Sequence, residues 1–184
     1  MIVIETRLSG AFTIDIEPHV DERGFFARVW CADELREHGL NTVVAQASIA
    51  YNPRRNTLRG LHYQEPPHAE TKLIHCTRGA VYDVIVDVRP ESDTYGEWIA
   101  VELTAENRRT LYVPEGFAHG YQTLVDETEI WYQMSARYAP EAARGYRFDD
   151  RRLAIDWPSA GELIVSERDR GWLDFDGLKA ASGS

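Results

Sequence analysis

Between residues 72 and 135 apolar and polar positions come in short runs, apolar or alternating: KLIHCT (72–77), AVYDVIVDV (80–88), EWIAVELT (97–104), RTLYVP (109–114), GYQTLVD (120–126) and TEIWYQMS (128–135). Turn-forming residues separate them, at Arg78-Gly79, from Pro90 to Gly96, at Glu106-Asn107 and at Glu115-Gly116. Side chains alternate between the two faces of a strand, so these runs predict six strands. In 80–88, Ala80, Tyr82, Val84, Val86 and Val88 share one face. Val81, Asp83, Ile85 and Asp87 share the other, which is mixed. Six strands so closely spaced predict a sandwich or barrel rather than βαβ units.

Helical patterns are few and peripheral. CADELREHG (31–39) is stopped by Gly39. SERDRGWLDF (166–175) has Ser166 as N-cap and Asp169 at the third helical position, a variant of the capping box. The small, polar tail 177–184 predicts fraying. No repeat, low-complexity tract or linker divides the chain, so residues 1–184 read as one domain. Its sheet edges need a cover, which two chains exchanging edge strands would supply.

Composition narrows the class of ligand. A chain of 184 residues, 43% hydrophobic and 27% charged, is long enough for one globular core. No run approaches the length of a membrane span, and MIVIETRLSG is charged too early for a signal peptide, so the expected location is the cytoplasm with no membrane partner. Net charge is −10, which opposes a nucleic-acid partner. An anionic ligand would then need local positive charge, and Arg23, Arg59 and Lys72 are the candidates. Cys31 and Cys76 lack metal or redox spacing and are expected to be reduced and buried.

Candidate chemistry concentrates in NTLRGLHYQEPPHAETKL (56–73), which reads as one wall of a small-molecule site. His62 in it can be a general base, a metal ligand or a hydrogen-bonded core histidine. His119 lies in PEGFAHGY, a PxGxxH pattern that places a histidine inside the barrel of many metal-binding cupins. A metal needs three or four ligands, and the HxH that usually accompanies that pattern is missing, because residue 64 is Gln. Tyr132 shares a strand face with Ile130 and Met134, as a core residue or as an acid facing a base on another wall. Lys72 is either an exposed edge lysine or an inward ammonium able to hold an enolate oxygen. Arg23 and Arg59 each stand beside a glycine, which permits close approach of a phosphate. Asp169 could fix a histidine tautomer, although spacing alone does not connect it to His62. His19, His38 and His68 read as surface residues.

Taken in order, DERGFF, NTLRGLHYQ, the Lys72 strand, GAVYDVIVDVRPESDTYGEW, LTAENRRTLYVPEGFAHGYQTL, YAPEAARG and IDWP resemble the dTDP-4-dehydrorhamnose 3,5-epimerase family, over roughly residues 2 to 170. The resemblance implies an all-β, cupin-type jelly-roll barrel with a few short peripheral helices. It implies a homodimer with exchanged N-terminal strands, no metal and no cofactor. The implied substrate is a nucleoside-diphosphate-4-keto-6-deoxyhexose, epimerised at C3 and C5 through an enolate. The resemblance makes His62 the base, Tyr132 the acid, Asp169 the partner of the base and Lys72 the enolate-holding cation. Arg23 and Arg59 align with phosphate contacts. His119, Phe25, Gln46, Ser48 and Tyr138 align with substrate-binding positions, Tyr138 as a residue that stacks on the nucleotide base.

Three positions depart from the family pattern. Arg28 stands near a usual Glu, Ser48 replaces an Asn, and Ala143-Arg144 occupy the place of an acidic residue. All three concern the nucleotide end, so the chemistry is better constrained than the base. The alternatives are a C3-only or C5-only epimerase on a different nucleotide sugar, a metal-dependent cupin enzyme, and a non-catalytic sugar-nucleotide binding protein.

Overall fold

In the computed structural model, which describes residues 1–158 and 161–175, the two faces of one strand serve two different cores. That strand is β8 (Ala80–Asp87). Val81 and Ile85 point into an inner core; Val84 and Val86 point to an outer one. The inner core also takes Ile74 and Cys76 from β7 (Lys72–Arg78), Leu111 and Val113 from β10 (Thr110–Val113), Ile130 from β12 (Thr128–Met134), and Phe117 and Tyr121 from β11 (Phe117–Thr123). These strands come from two sheets, so the inner core is the space between them.

The first sheet has the order β1-β2-β10-β7-β12-β5, with β1 (Ile2–Glu5), β2 (Phe12–Asp15) and β5 (Gln46–Asn52). The second has the order β13-β6-β11-β8-β9, with β6 (Thr57–Gln64), β9 (Trp98–Thr104) and β13 (Ala143–Gly145). A short β14 (Ile164–Val165) adds to β6 in parallel; the other strand pairings among the described residues are antiparallel. The fold is the all-β, cupin-type class expected from the sequence. The outer core lies where the C-terminal segment, with Leu153, Trp157 and Phe175, covers the second sheet. Helix α1 (Ala32–Glu37) covers part of the first sheet with Leu35, packed against Ile14, Leu73 and Tyr112.

All six strands read from 72–135 are present within a few residues of their expected bounds. Of the eight further strands among the described residues, two that carry site residues, β5 and β6, were not legible as such, for different reasons. Edge strand β5 is mostly exposed, so it lacks a buried alternation. In β6, Arg59, Gly60 and His62 interrupt the hydrophobic pattern. Gly60 has φ +127°, and a Cβ there would stand 2.4 Å from Gly120 Cα. The Arg-Gly pair thus serves a close approach of β6 to β11, in which His119 stands opposite His62.

The second helix is shorter than 166–175: α2 spans Glu167–Arg170 only. Ser166 is its N-cap, and its hydroxyl accepts from the Asp169 N–H at 3.1 Å. Past Gly171 the chain turns away, because Leu173 bridges to Tyr146 and Phe175 buries its ring against Tyr95 and Tyr146. Apolar burial of Phe175 outweighs continuation of the helix. The tail 177–184 lies outside the described residues. Both cysteines are free; Cys76 is buried, but Cys31 is only half-buried.

Candidate active site

Two sheets meeting around a polar end of the inner core make a cavity of about 360 Å³, lined by Arg59, His62, Lys72, His119, Tyr121 and Tyr132 among others. His62 and His119 come from β6 and β11 of the second sheet; Lys72 and Tyr132 come from β7 and β12 of the first. His62 and Tyr132 therefore face one cavity from opposite sheets.

His62 is anchored from the far end of the chain. Its Nε2 lies 2.6 Å from Asp169 Oδ1, and the Gly60 N–H donates to Asp169 Oδ2 at 3.4 Å. Asp169 is buried, and burial raises its pKa. Hydrogen bonds and charge from His62, with help from Gly60 and Ser166, outweigh that and hold the carboxyl below its usual value. The carboxylate is thus ionised beside the ring. An Nε2–H donated to it leaves Nδ1 as the basic nitrogen.

Lys72 is inward, not an exposed edge lysine, with 10% of its side chain accessible. Its Nζ donates to the His62 carbonyl at 3.2 Å and pairs with Glu70 Oε1 at 3.3 Å. Glu70 in turn accepts from Gln64. These contacts meet the cost of burying an ammonium and aim it at the cavity.

Tyr132 is half-buried, and its ring meets the His119 ring edge-on at 6.2 Å. Burial, then the neighbouring Tyr121, pushes its hydroxyl well above the usual value of 10, so it remains a phenol at neutral pH. His119 is buried and is tied through Nε2 to both oxygens of Asp83, at 2.9 and 3.0 Å. Asp83 is fully buried. Burial raises its pKa, against the opposing effects of His119 and Lys72. Among the described residues no group of three or more His, Cys, Asp or Glu side chains is arranged to hold a metal ion.

A second cavity of about 230 Å³ shares His62 and Lys72 and adds Gln46, Tyr138 and Trp172. Gln46 Oε1 accepts from the Tyr138 N–H at 2.6 Å, which ties β5 to the segment after β12. Ser48 stands between Gln46 and Ala50 on the same strand face, opposite Tyr132, and is exposed. Arg168 of α2 lines both cavities and donates to the Tyr138 hydroxyl at 3.2 Å.

Arg23 and Phe25 are not brought into either cavity of this chain. They sit on a ribbon of β3 (His19–Asp21) and β4 (Gly24–Phe26) that pairs with neither main sheet. Arg23 pairs with Asp21, and Arg108 lies 4.7 Å over the Phe25 ring.

The epimerase family described as dTDP-4-dehydrorhamnose 3,5-epimerase matches residues 5–176. The chain belongs to this family. A dTDP-4-dehydrorhamnose 3,5-epimerase from Methanothermobacter thermautotrophicus is 44% identical over 172 residues, covering 92% of this chain and 91% of the relative. The crystal structure of the Bacillus anthracis epimerase, with TDP and PPi bound, superposes with a TM-score of 0.90 at 38% identity, over 95% of this chain and 99% of that one. That of the Legionella pneumophila epimerase, in complex with dTDP-4-keto-L-rhamnose, gives 0.88 at 33% identity, over 94% and 92%. Like these epimerases the chain is an isomerase.

Sequence reading missed several residues that hold this candidate site together. Asp83 was visible only as a charge on the mixed face of 80–88, and its partner His119 lies 36 residues away. Glu70, Tyr121 and Arg168 carried no signal beyond their residue type, because their partners are set by the loop before β7, by the packing of the two sheets and by the docking of α2.

Proposed function

We propose that this chain epimerises a nucleoside-diphosphate-4-keto-6-deoxyhexose at C3 and C5, the dTDP-4-dehydro-6-deoxyglucose to dTDP-4-dehydrorhamnose conversion of deoxysugar biosynthesis. The observation that carries the reading is the placement of His62 and Tyr132 on opposite sheets across one cavity. Inversion of a carbon needs a proton removed from one face and returned to the other.

The C4 ketone acidifies the hydrogens on C3 and C5. Nδ1 of His62 takes one of them, the bonding electrons move into the C4 carbonyl, and Asp169 stabilises the imidazolium. Lys72 holds the resulting enolate oxygen. Tyr132 then delivers its phenolic proton to the opposite face of the same carbon, and solvent restores both residues. Repetition at the second carbon gives the 3,5-epimer.

Arg59 binds the diphosphate. Its Nε is engaged by Asn52 Oδ1 at 2.9 Å, and its terminal nitrogens serve the ligand. His119 shapes the sugar end, while Gln46, Ser48 and Tyr138 form the nucleotide end. Arg23 and Phe25 act in a neighbouring copy, in a homodimer that exchanges N-terminal strands. Supporting this, the β3–β4 ribbon is exposed on both strands, and Val20 and Phe26 are each about three-quarters accessible in the single chain (77% and 75%). The free cysteines fit a reducing, cytoplasmic setting.

The test is proton NMR of dTDP-4-keto-6-deoxyglucose incubated with the protein in D2O. Deuterium at C3 and C5 is expected. Deuterium at one carbon alone would make the chain a mono-epimerase, and none at either would overturn the reading.

A further inference from the structure

One wall of the cavity contains a second tyrosine, whose ring belongs to the inner core but whose hydroxyl has no use in the reaction outlined above. Tyr121 is 1% exposed, on the second sheet, and lines the cavity together with Tyr132. A phenylalanine would fill the same apolar space, yet the hydroxyl is present and fully engaged. It lies 3.3 Å from Asn52 Oδ1 and 3.1 Å from Asn52 Nδ2. Asn52 is itself fully buried, and its orientation is fixed from outside the pair. Nδ2 donates to the Thr128 and Ala50 carbonyls at 3.3 and 3.4 Å, and Oδ1 accepts from Arg59 Nε at 2.9 Å. Tyr132 lines the same cavity and packs against the inner core to which Tyr121 belongs, and after burial the neighbouring Tyr121 hydroxyl helps to raise the pKa of Tyr132.

An amide presenting both an acceptor and a donor to one hydroxyl can satisfy that hydroxyl in either of two orientations. While Tyr132 is a phenol, Tyr121 donates to Asn52 Oδ1. Once Tyr132 has given up its proton, the Tyr121 hydroxyl can turn and donate to the Tyr132 oxyanion, while Asn52 Nδ2 donates to Tyr121. At Asn52 the exchange needs only the rotation of one hydrogen.

We propose that Tyr121, held by Asn52, is a positioning residue that stabilises the Tyr132 phenolate formed when Tyr132 protonates the sugar carbon. The proposal rests on the acid role given to Tyr132 above. It assigns Tyr121 to the inverting half of the reaction only, since removal of the proton by His62 does not involve Tyr132.

The two halves are read separately in D2O. Loss of the C3 or C5 hydrogen to solvent reports abstraction; appearance of the inverted sugar reports reprotonation from the far face. In Tyr121→Phe, inversion should slow roughly 10- to 100-fold, the scale of one hydrogen bond to a charged group, while washout stays within about threefold. Binding of dTDP should be unchanged. Asn52→Asp keeps the acceptor for Tyr121 but lacks the donor, so it should skew the ratio of washout to inversion in the same direction. It decides the matter if Tyr121→Phe does not fold.

An unaltered ratio in the folded variants would overturn the proposal, as would equal loss of washout and inversion, which would make Tyr121 purely structural. Tyr132→Phe, run alongside, separates the two levels of the argument. If it inverts as fast as the unaltered chain, the acid assignment itself falls. If it fails to invert while Tyr121→Phe inverts normally, only the role of Tyr121 falls.

Discussion

His62 Nε2 sits 2.6 Å from Asp169 Oδ1, across 107 residues of sequence. The contact depends on two local features that have nothing to do with each other in the chain. Gly60 lets β6 close onto β11, and its N–H reaches the far carboxylate oxygen; Ser166 caps the one-turn helix that carries Asp169. Asp169 is buried and satisfied on several sides, so it fixes the ring that faces the cavity instead of competing for ligand.

His62→Ala removes the base without removing a phosphate contact. Turnover should fall by roughly 10²- to 10⁴-fold, the usual worth of a positioned acid or base. Washout of both sugar hydrogens into D2O should fall with it, because abstraction itself is lost. Calorimetric titration with dTDP should give an affinity close to that of the unaltered protein. Retained washout in His62→Ala would move the base to another residue.

Asp169 makes the same pair visible in stability. A carboxyl whose folded pKa lies below its unfolded value adds stability that is full above the unfolded pKa and is lost as pH falls through the folded one. The reference value is 3.8 and the folded one is lower. Denaturant unfolding of the protein and of Asp169→Asn should therefore differ most near neutral pH, and the gap should close as pH falls below about 4. A gap that widens on acidification would contradict the ionised state of Asp169.

The sheets were legible because the strands of 72–135 are short, largely apolar runs bounded by turn residues, as in 72–78 and 80–87, which are buried at most positions. Edge strand β5 was not, since exposure on most positions removes the pattern. The site was legible as residue types within recognisable segments: His62, Lys72, His119 and Tyr132 do line one cavity. What joins them was not. Asp83 meets His119 through the pairing of β8 with β11, Asn52 reaches Tyr121 and Arg59 from the opposite sheet, and Glu70 turns back to Lys72 and Gln64 from the loop before β7; pairing and sheet packing are properties that a single segment does not display. The helix carrying Asp169 was read too long for a related reason. Its end is set by where Phe175 finds a pocket, at Tyr95 and Tyr146, and not by its own propensity.

Arg59→Ala should act on binding before chemistry. Loss of a guanidinium–diphosphate contact is worth about 1.5–3 kcal/mol, or roughly 10- to 100-fold in dTDP affinity. Asn52 Oδ1 also loses its Arg59 partner, so a modest drop in Tm should accompany it. Isothermal titration and a thermal melt measure the two effects. Unchanged dTDP affinity would remove Arg59 from the phosphate site.

Gly60→Ala tests whether the approach of β6 to β11 is what builds the site. An added Cβ would stand 2.4 Å from Gly120 Cα and 2.8 Å from the His119 carbonyl, both backbone atoms that cannot rotate away. The φ of +127° adds strain for any L side chain. The cost should be about 2–4 kcal/mol, read as a drop in the denaturant midpoint at constant slope.

Exchange of N-terminal strands predicts a complementation that a self-contained site cannot show. If Arg23 and Phe25 act in the neighbouring copy, each site draws its base from one chain and its ribbon from the other. Arg23→Ala/Phe25→Ala and His62→Ala proteins should each be poorly active alone. In a mixed dimer, one site combines the altered His62 chain with the altered ribbon, and the other combines intact His62 with an intact ribbon. Unfolding and refolding the two together should therefore restore activity: each mixed dimer has one intact site of two, and statistical assembly makes about half of the dimers mixed, so the sample should reach about a quarter of the activity of the unaltered protein. Separate refolding followed by brief mixing should restore much less. No recovery after joint refolding, with mixed dimers demonstrated by differently tagged chains, would mean that the ribbon serves its own chain or no site at all. Arg23, paired to Asp21 on an exposed turn, would then be a surface residue.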